Sequence, residues 1–576
     1  LSALFLPAES WPGTLLAIAW KEMLRNAAHD SICACSADDV VDAVMVRFQE
    51  ARHVGEGLTY QAKRTLAAQC PSPGAVIINP SARTRGGLVE LEVPGEGPAP
   101  GAQILSERPS IRGEITFGAD KLGPALSTLR SQRIDDDTYF TRVDIEETDD
   151  ALDITLRGDP TLREWLDLGA IKADIAERVN AHPERPITMR IAQRPTRRIL
   201  SMVEDVPGFG WQRWTGQPSH ALPVTVDGDT MTNGLLTVTL DRVFGTLSIN
   251  GTPGFDRLVD SGDQGDTYNY SPPDHDQVID KPTAVDVRVI ESGPLRARIQ
   301  VTRSFEWPAR IDDVKRARVG NRRVGVRTIY DLHAGERMLR VQTSFDNPSK
   351  DHRLRAMIPL PTTATSSRAD CAFAVPERGL RGEGGPHERE LPTHPAKRFV
   401  QAGGVTVIVD GVTEYELIDG GKRLALTLLR ATAMLSRIEM TYRPQPAGPP
   451  NVLRGSQMLG PVEARYAIAV GDVDPFALAD DFLVPFEIAI AQGDGPGRDS
   501  GQALSVEGAE VSSLQRVPGG VELRLWNPSD EPTVATVADG VGWVVDLRGR
   551  PIRPFEGIAT LGAWEILTVR MPHLPA

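Results

Sequence analysis

The feature that most limits what this chain can become is a two-residue alternation running through its second half. Leu236, Val238 and Leu240 alternate with threonines, and Val285, Val287 and Val289 alternate with polar residues. Leu295, Ala297, Ile299 and Val301 repeat the pattern, as do Leu339, Val341, Thr343 and Phe345. Side chains two residues apart share one face of a strand, so each run has one apolar and one wet face. Strands of this kind build large antiparallel sandwiches, whereas parallel sheets want strands that are apolar throughout. Gly- and Pro-rich breaks at 381–386, 444–450 and 493–501 punctuate the runs. After the last break Val521, Leu523 and Leu525 alternate and Trp543 to Leu547 follows, which reads as a separate small sandwich.

The start of the chain follows another period. Leu16, Trp20, Met23 and Leu24 recur at helical spacing, and Val40, Val41, Val44, Met45 and Phe48 recur on one face of a second helix. Ser36 reads as the N-cap of that helix and Asp39 as its reciprocal acid. At Pro71 the character changes: Gly74 to Pro80 is a short apolar strand ended by a turn, and Val89, Leu91 and Val93 alternate with Glu90 and Glu92. Leu162, Trp165, Leu166, Ile171, Ile175 and Val179 mark a helical insertion. The expected architecture is mainly β with an N-terminal helical segment. A helical domain spans 1–70, and a small β-sandwich spans 71–225 with its insertion near 160–180. A large β-sandwich spans 226–485, and a C-terminal small sandwich spans 500–576.

Over 576 residues, 40% hydrophobic and 24% charged content is ordinary for a globular chain with several cores. A net charge of -14 argues against nucleic acid and anionic membrane as partners. No run approaches the roughly eighteen apolar residues that a membrane span needs. Residues 1–20 are apolar but lack a basic start and a small-residue cleavage site, so no signal peptide is expected. The chain begins at Leu1, and we expect it to be a piece of something longer. Four cysteines, Cys33, Cys35, Cys70 and Cys371, are too few for a disulfide scaffold. Cys33 and Cys35 are too close for the common zinc spacings. Reduced thiols in a cytoplasmic protein are the expectation.

The stretch Asn26-Ala27-Ala28-His29-Asp30-Ser31-Ile32-Cys33-Ala34-Cys35-Ser36 places a His-Asp pair in the break between the two helices. Helix ends hold side chains rigidly and leave backbone groups free, so an imidazole there can be held in one direction. The same two residues can equally cap a helix. One histidine can neither hold a metal nor perform a hydrolysis alone. Asp274-His275-Asp276 is a weak second candidate for metal, in a Pro-bounded loop. Glu414 and Glu416 flank Tyr415 and would share a strand face about 7 Å apart. His352, beside Arg353, reads as a hydrogen-bonding residue at a sandwich edge.

Ala19-Trp20-Lys21, His29-Asp30-Ser31-Ile32-Cys33, Cys35-Ser36, Asp39-Val40 and Arg47-Phe48 together resemble the helical middle domain of glycoside hydrolase family 38, the α-mannosidases. Asp263-Gln264-Gly265-Asp266-Thr267-Tyr268-Asn269-Tyr270-Ser271-Pro272-Pro273 resembles a bacterial loop of the family's large sandwich domain. Asp351 to Arg355, Glu414 to Glu416, Leu426 to Arg430, Leu435 to Arg437 and Gln445 to Pro449 are similar to framework motifs of that domain. The matches keep their order over roughly residues 15 to 470. Two positions depart from the family: Ala34 stands where it usually has glycine, and Ala28 where the animal members have a second histidine. We expect the backbone at Ala34 to manage without positive φ.

The resemblance implies that His29 ligates zinc or another divalent cation, in one site that is incomplete in this chain. It implies that Asp30 and Tyr268 touch the bound sugar, and that Arg437 or Arg443 reaches the same wall. An exposed strand-end arginine is the alternative for each. It also implies that a catalytic α/β barrel-like domain precedes this region and is absent from the chain, and with it the nucleophile and the general acid. Retaining glycosidases need two carboxyl groups about 5 Å apart, and zinc wants about four ligands. This chain alone is therefore expected to be inactive, as part of a retaining α-mannosidase whose partners are an α-mannoside and the missing N-terminal domain. Homo-oligomerisation is left open. Two other readings remain: a carbohydrate-binding sandwich without catalysis, and a stand-alone glycosidase using Glu414 and Glu416.

Overall fold

The structure, a computed structural model, describes residues 1–135, 138–159 and 164–574. Leu162, counted above in the helical insertion, lies outside the described residues. The chain divides into two compact units, one of Leu1–Gly87, Val203–Thr215 and His220–Ala576, the other of Leu88–Met202 with Gly216–Ser219.

The first unit opens with helices Ser2–Phe5, Gly13–Arg25, His29–Ile32 and Asp38–Ala67. The sequence pattern also suits a three-helix-bundle-like middle domain, but only two of these helices, Gly13–Arg25 and Asp38–Ala67, are long. The long helix buries Val44, Leu58, Ala62 and Leu66 at helical spacing. Its start corrects the expected cap. The N-cap is Ala37, with no side-chain hydrogen bond, and neither Ser36 nor Asp39 caps it. Asp38 in the first turn instead accepts the backbone N–H groups of Arg454 (2.8 Å) and Gly455 (3.1 Å). Its carboxylate therefore ties the helix start to a sandwich loop.

Gly74–Asn79 and Gly210–Arg213, from the two ends of the segment expected to form a small sandwich, pair with Glu487–Ala491 and Ser500–Gln502 in a four-stranded sheet. The second unit contains a four-stranded sheet, in the order Ile111–Phe117, Ile187–Gln193, Leu152–Asp159 and Tyr139–Glu147. Leu152–Asp159 and Ile187–Gln193 run parallel, and helix Leu168–Ala181 lies between them in sequence. That helix buries Ile175 and Val179 on Leu152, Ile154 and Ile187, which is a helix-on-sheet layer and not sheet on sheet.

The alternating runs that start at Val285, Leu295 and Leu339 enter a nine-stranded antiparallel sheet, whereas Thr237–Leu240 belongs to a separate five-stranded sheet. The order of the nine strands is Ala284–Ser292, Arg296–Trp307, Arg322–His333, Leu339–Asn347, Gly460–Val470, Val405–Asp410, Phe399–Ala402, Ser366–Ala369 and Glu377–Gly379. Another five-stranded sheet follows the order Arg257–Gly262, His352–Pro359, Arg423–Ala431, Glu414–Ile418 and Thr393–Pro395. Trp307, Phe305, Tyr330 and Tyr466 are fully buried in the first unit. Within this core Arg303 meets Asp256 (3.2 Å), and the hydroxyls of Tyr330 and Tyr466 donate to the same carboxylate. His352 corrects its expected place at an edge. It is fully buried on a central strand, with Nδ1 2.5 Å from Asp260 and Nε2 3.0 Å from Asn347. The C-terminal six-stranded sheet packs Leu523, Leu525, Phe555 and Val569 against Phe209 and Leu504, within the first unit.

Candidate functional site

Asn26 fixes the break between the long helices. It is buried, its Nδ2 donates to the Val44 carbonyl (3.1 Å), and its Oδ1 accepts from Arg47 (3.3 Å). The chain then makes the single turn His29–Ile32. The His29 side chain is 94% exposed, with Nε2 3.4 Å from Asp30 Oδ1. The turn closes where the Cys35 N–H donates to the Asp30 carbonyl (2.9 Å). Ala34 reaches this closure with φ at 55°, in the left-handed region. The expectation that its backbone manages without positive φ is thus corrected. The bond from Cys35 to Asp30 needs that geometry, and alanine takes it at a cost.

Cys35 is buried and turns its thiol to Asp30 Oδ1 (3.6 Å) and to the Tyr268 hydroxyl. Burial pushes its thiol up, the bond with Tyr268 opposes that rise, and Asp30 adds to it. Tyr268 is pushed up to about 12, first by burial, then by its bond to Cys35 and by the charges of Asp30 and Asp266. The helical turn and a sandwich loop therefore meet at one point, where an aspartate, a thiol and a phenol are neighbours.

Two buried aspartates shape the loop that brings Tyr268 there. Asp263 accepts the N–H groups of Gly265 (2.8 Å) and Ser271 (3.2 Å), and Arg430 Nε lies 2.6 Å from its other oxygen. Asp266 Oδ1 accepts the N–H groups of Tyr268 and Asn269, each at 3.0 Å. Its Oδ2 accepts the Arg437 N–H (2.7 Å) and a guanidinium N–H of Arg443. Gly265 is required by close approach, because a Cβ there would sit 2.1 Å from the Asn269 carbonyl oxygen. Arg443 is buried, bonds Asn269 Oδ1 (2.8 Å), and lies 5.7 Å from the centre of the Tyr268 ring.

Asp30, Tyr268 and Arg443 are thus brought together, with Arg443 backing the tyrosine. Arg437 reaches the loop through its backbone, while its guanidinium turns to Asp313 (3.0 Å). His29 stands beside Asp30 and faces solvent. Cys33, Ala34, Asp38, Tyr268, Glu414 and Arg454 border a cleft of about 1100 Å³. Glu414 accepts from Thr427 (2.7 Å) and Glu416 from Arg355 (2.8 Å), so a donor engages each. Asp274 pairs with Arg316 (2.6 Å), and Asp276 accepts the Gly262 N–H (3.0 Å). Among the described residues no three His, Cys, Asp or Glu side chains gather as a metal site. The sequence reading gave no role to Cys35, Asp263 or Asp266. The signal for the aspartates was present, since Asp-x-Gly and Asp-x-Tyr-Asn are strings in which a carboxylate bonds the backbone two residues on.

Residues 232–435 match the model of the glycosyl hydrolases family 38 C-terminal domain. That segment carries the likeness of this chain to glycoside hydrolase family 38. A curated relative, the putative mannosylglycerate hydrolase of Halalkalibacterium halodurans, is 22% identical over 570 residues. The match covers 89% of this chain and 57% of that protein, so the chain spans little more than half of its relative's length. An α-mannosidase structure from Enterococcus faecalis V583 superposes with a TM-score of 0.71 at 19% identity, covering 99% of this chain and 65% of that one. A second family 38 structure from Enterococcus faecalis gives 0.70 at 19% identity, covering 99% and 67%. These two likenesses establish the fold. No helix among the described residues is long and apolar enough to cross a membrane.

Proposed function

We propose that this chain is the middle and C-terminal part of a retaining α-mannosidase that uses zinc or another divalent cation. A further segment would supply the nucleophile, the general acid and the remaining metal ligands. The observation that carries this reading is the convergence of Asp30 and Tyr268 through Cys35, with the exposed imidazole of His29 beside them. In this reading Asp30 accepts sugar hydroxyls, and Tyr268 presents its phenol, protonated at all physiological pH, to the same ring. His29 is the group that would reach the cation, whose chemistry would be to grip and orient vicinal sugar hydroxyls. One imidazole is a share of a donor set and not a site, so no step is assigned to a metal within this chain.

A second feature supports the missing segment. Trp20 is 63% exposed and Leu24 69%, and Leu15, Ile18, Val41 and Met45 are exposed with them on the helical segment. Exposed apolar side chains as large as Trp20 and Leu24, on one face of the helix, fit contact with another protein element. The test is to produce the chain joined to its upstream coding segment and assay an aryl α-mannoside. Turnover should be lost with a chelator, restored by zinc or cobalt, and abolished by His29→Ala. Turnover that survives both the chelator and His29→Ala would refute the reading. So would sugar binding by this chain alone that ignores His29, which would favour the carbohydrate-binding alternative.

A further inference from the structure

The nine-stranded sheet ends at Ala284–Ser292, which pairs on one side with Arg296–Trp307. No other strand among the described residues pairs with its outer side. An open edge offers a row of unpaired N–H and C=O groups to any strand that fits. We propose that this edge is a self-pairing surface, and that a second copy of the chain docks there antiparallel, about a two-fold axis through Val287.

The argument is the order of side chains along the edge: Val285-Asp286-Val287-Arg288-Val289. About Val287 this string is its own complement. Antiparallel pairing sets Asp286 opposite Arg288 of the second copy, Arg288 opposite its Asp286, and valines opposite valines. Directly opposed residues on one face interact strongly, and opposite charges and β-branched pairs are favourable there. The two faces also agree. Val285, Val287 and Val289 lie opposite Arg303, Val301 and Ile299, on the face that carries the core. Val289 is nonetheless 47% exposed, because the sheet stops before covering it. A second copy would extend the apolar row. Asp286 and Arg288, which bond each other at 2.8 Å in the single chain, stand exposed on the other face.

The same string rejects other partners. Moving the axis by one residue sets Asp286 against Asp286, or Arg288 against Arg288. The ladder shifts register between Val289 and Glu291, and such a bulge limits the pairing to a short segment. So short an interface belongs to the weak, reversible class.

The test is sedimentation velocity on the whole chain over a concentration series. Wild type should pass from monomer to dimer as its concentration rises. Arg288→Asp and Asp286→Arg each turn both cross-strand ion pairs into like-charge pairs, and each should weaken dimerisation at least about tenfold. An equimolar mixture of the two variants should dimerise as well as wild type, because each then meets opposite charges. So should the double variant that carries both changes. Circular dichroism should be unchanged, since both side chains are exposed. A monomer at every concentration would overturn the proposal. So would a dimer that neither reversal weakens, or variants that fail to recover on mixing.

Discussion

Replacing Asp266 by asparagine separates two jobs that one carboxylate performs. Its Oδ1 holds the turn through the Tyr268 and Asn269 N–H groups, and its Oδ2 holds Arg437 N–H and the Arg443 guanidinium. An asparagine can keep its oxygen at the first position. Its amide N–H₂ then faces two donors, and Arg443, only 4% exposed, loses its counter-charge. Breaking a buried ion pair from one side costs about 3–5 kcal/mol. Arg443→Met alone should cost less, because the Asp266 carboxylate keeps three backbone N–H donors. With both changes no charge is left bare, so the double variant should be more stable than the two single effects predict, by roughly 1–3 kcal/mol. The readout is amide hydrogen exchange in the segment 263–273. If Asp266→Asn opens this loop locally, a loss of about 3 kcal/mol speeds exchange there roughly a hundredfold. Unchanged exchange, or strict additivity of the two substitutions, would refute the claim that this ion pair holds Tyr268 in place.

Other consequences can be measured on the same chain. Ala34→Gly relieves a left-handed alanine at 55° and should raise stability by about 0.5–1 kcal/mol after the entropy of glycine is counted. Ala34→Val should lower it, and denaturant midpoints decide between the signs. Desolvation pulls His333 down, but Glu336 and Asp331 outweigh it and hold the imidazole up at about 9. A folded value above the unfolded one near 6.5 gives stability that is full below about pH 6.5 and lost as pH rises through about 9, worth up to roughly 3 kcal/mol. His333→Gln should flatten that limb of the melting-temperature profile, and an unchanged slope would exclude His333 as its cause. If the helical face is a docking surface, Trp20→Asp and Leu24→Asp should leave the melting of this chain within about 0.5 kcal/mol of wild type while abolishing its co-purification with the upstream segment.

Alternation is legible because burial has a period. Leu339–Asn347 repeats its sequence pattern in its burial pattern, residue by residue. Pairing has no such signature. Nothing in Gly74 to Asn79 names Glu487–Ala491 as its neighbour, yet that ladder joins parts of the chain some 400 residues apart. His352 misled for a related reason. A charged string, Asp351-His352-Arg353, reads as solvated, but here both histidine nitrogens have buried partners, Asp260 and Asn347. Polarity marks a residue as exposed only when its partners are water, and a distant carboxylate is invisible along the sequence.

The site divides along the same line. His29 and Asp30 lie in a break between two helical periods, so local pattern alone isolates them. Tyr268 carries no local signal of its own, and only the resemblance drew it out. What connects them is Cys35, whose Sγ reaches Asp30 on one side and Tyr268 on the other. From sequence alone Cys35 is expected only as a reduced thiol, too close to Cys33 for the common zinc spacings. Its burial follows from the closure at Ala34, which turns residue 35 inward where an extended chain would turn it out. A positive φ at a non-glycine residue is rarely legible in sequence, because alanine seldom adopts it. The one backbone angle that joins the two halves of the wall is therefore also the feature that residue propensities conceal most completely.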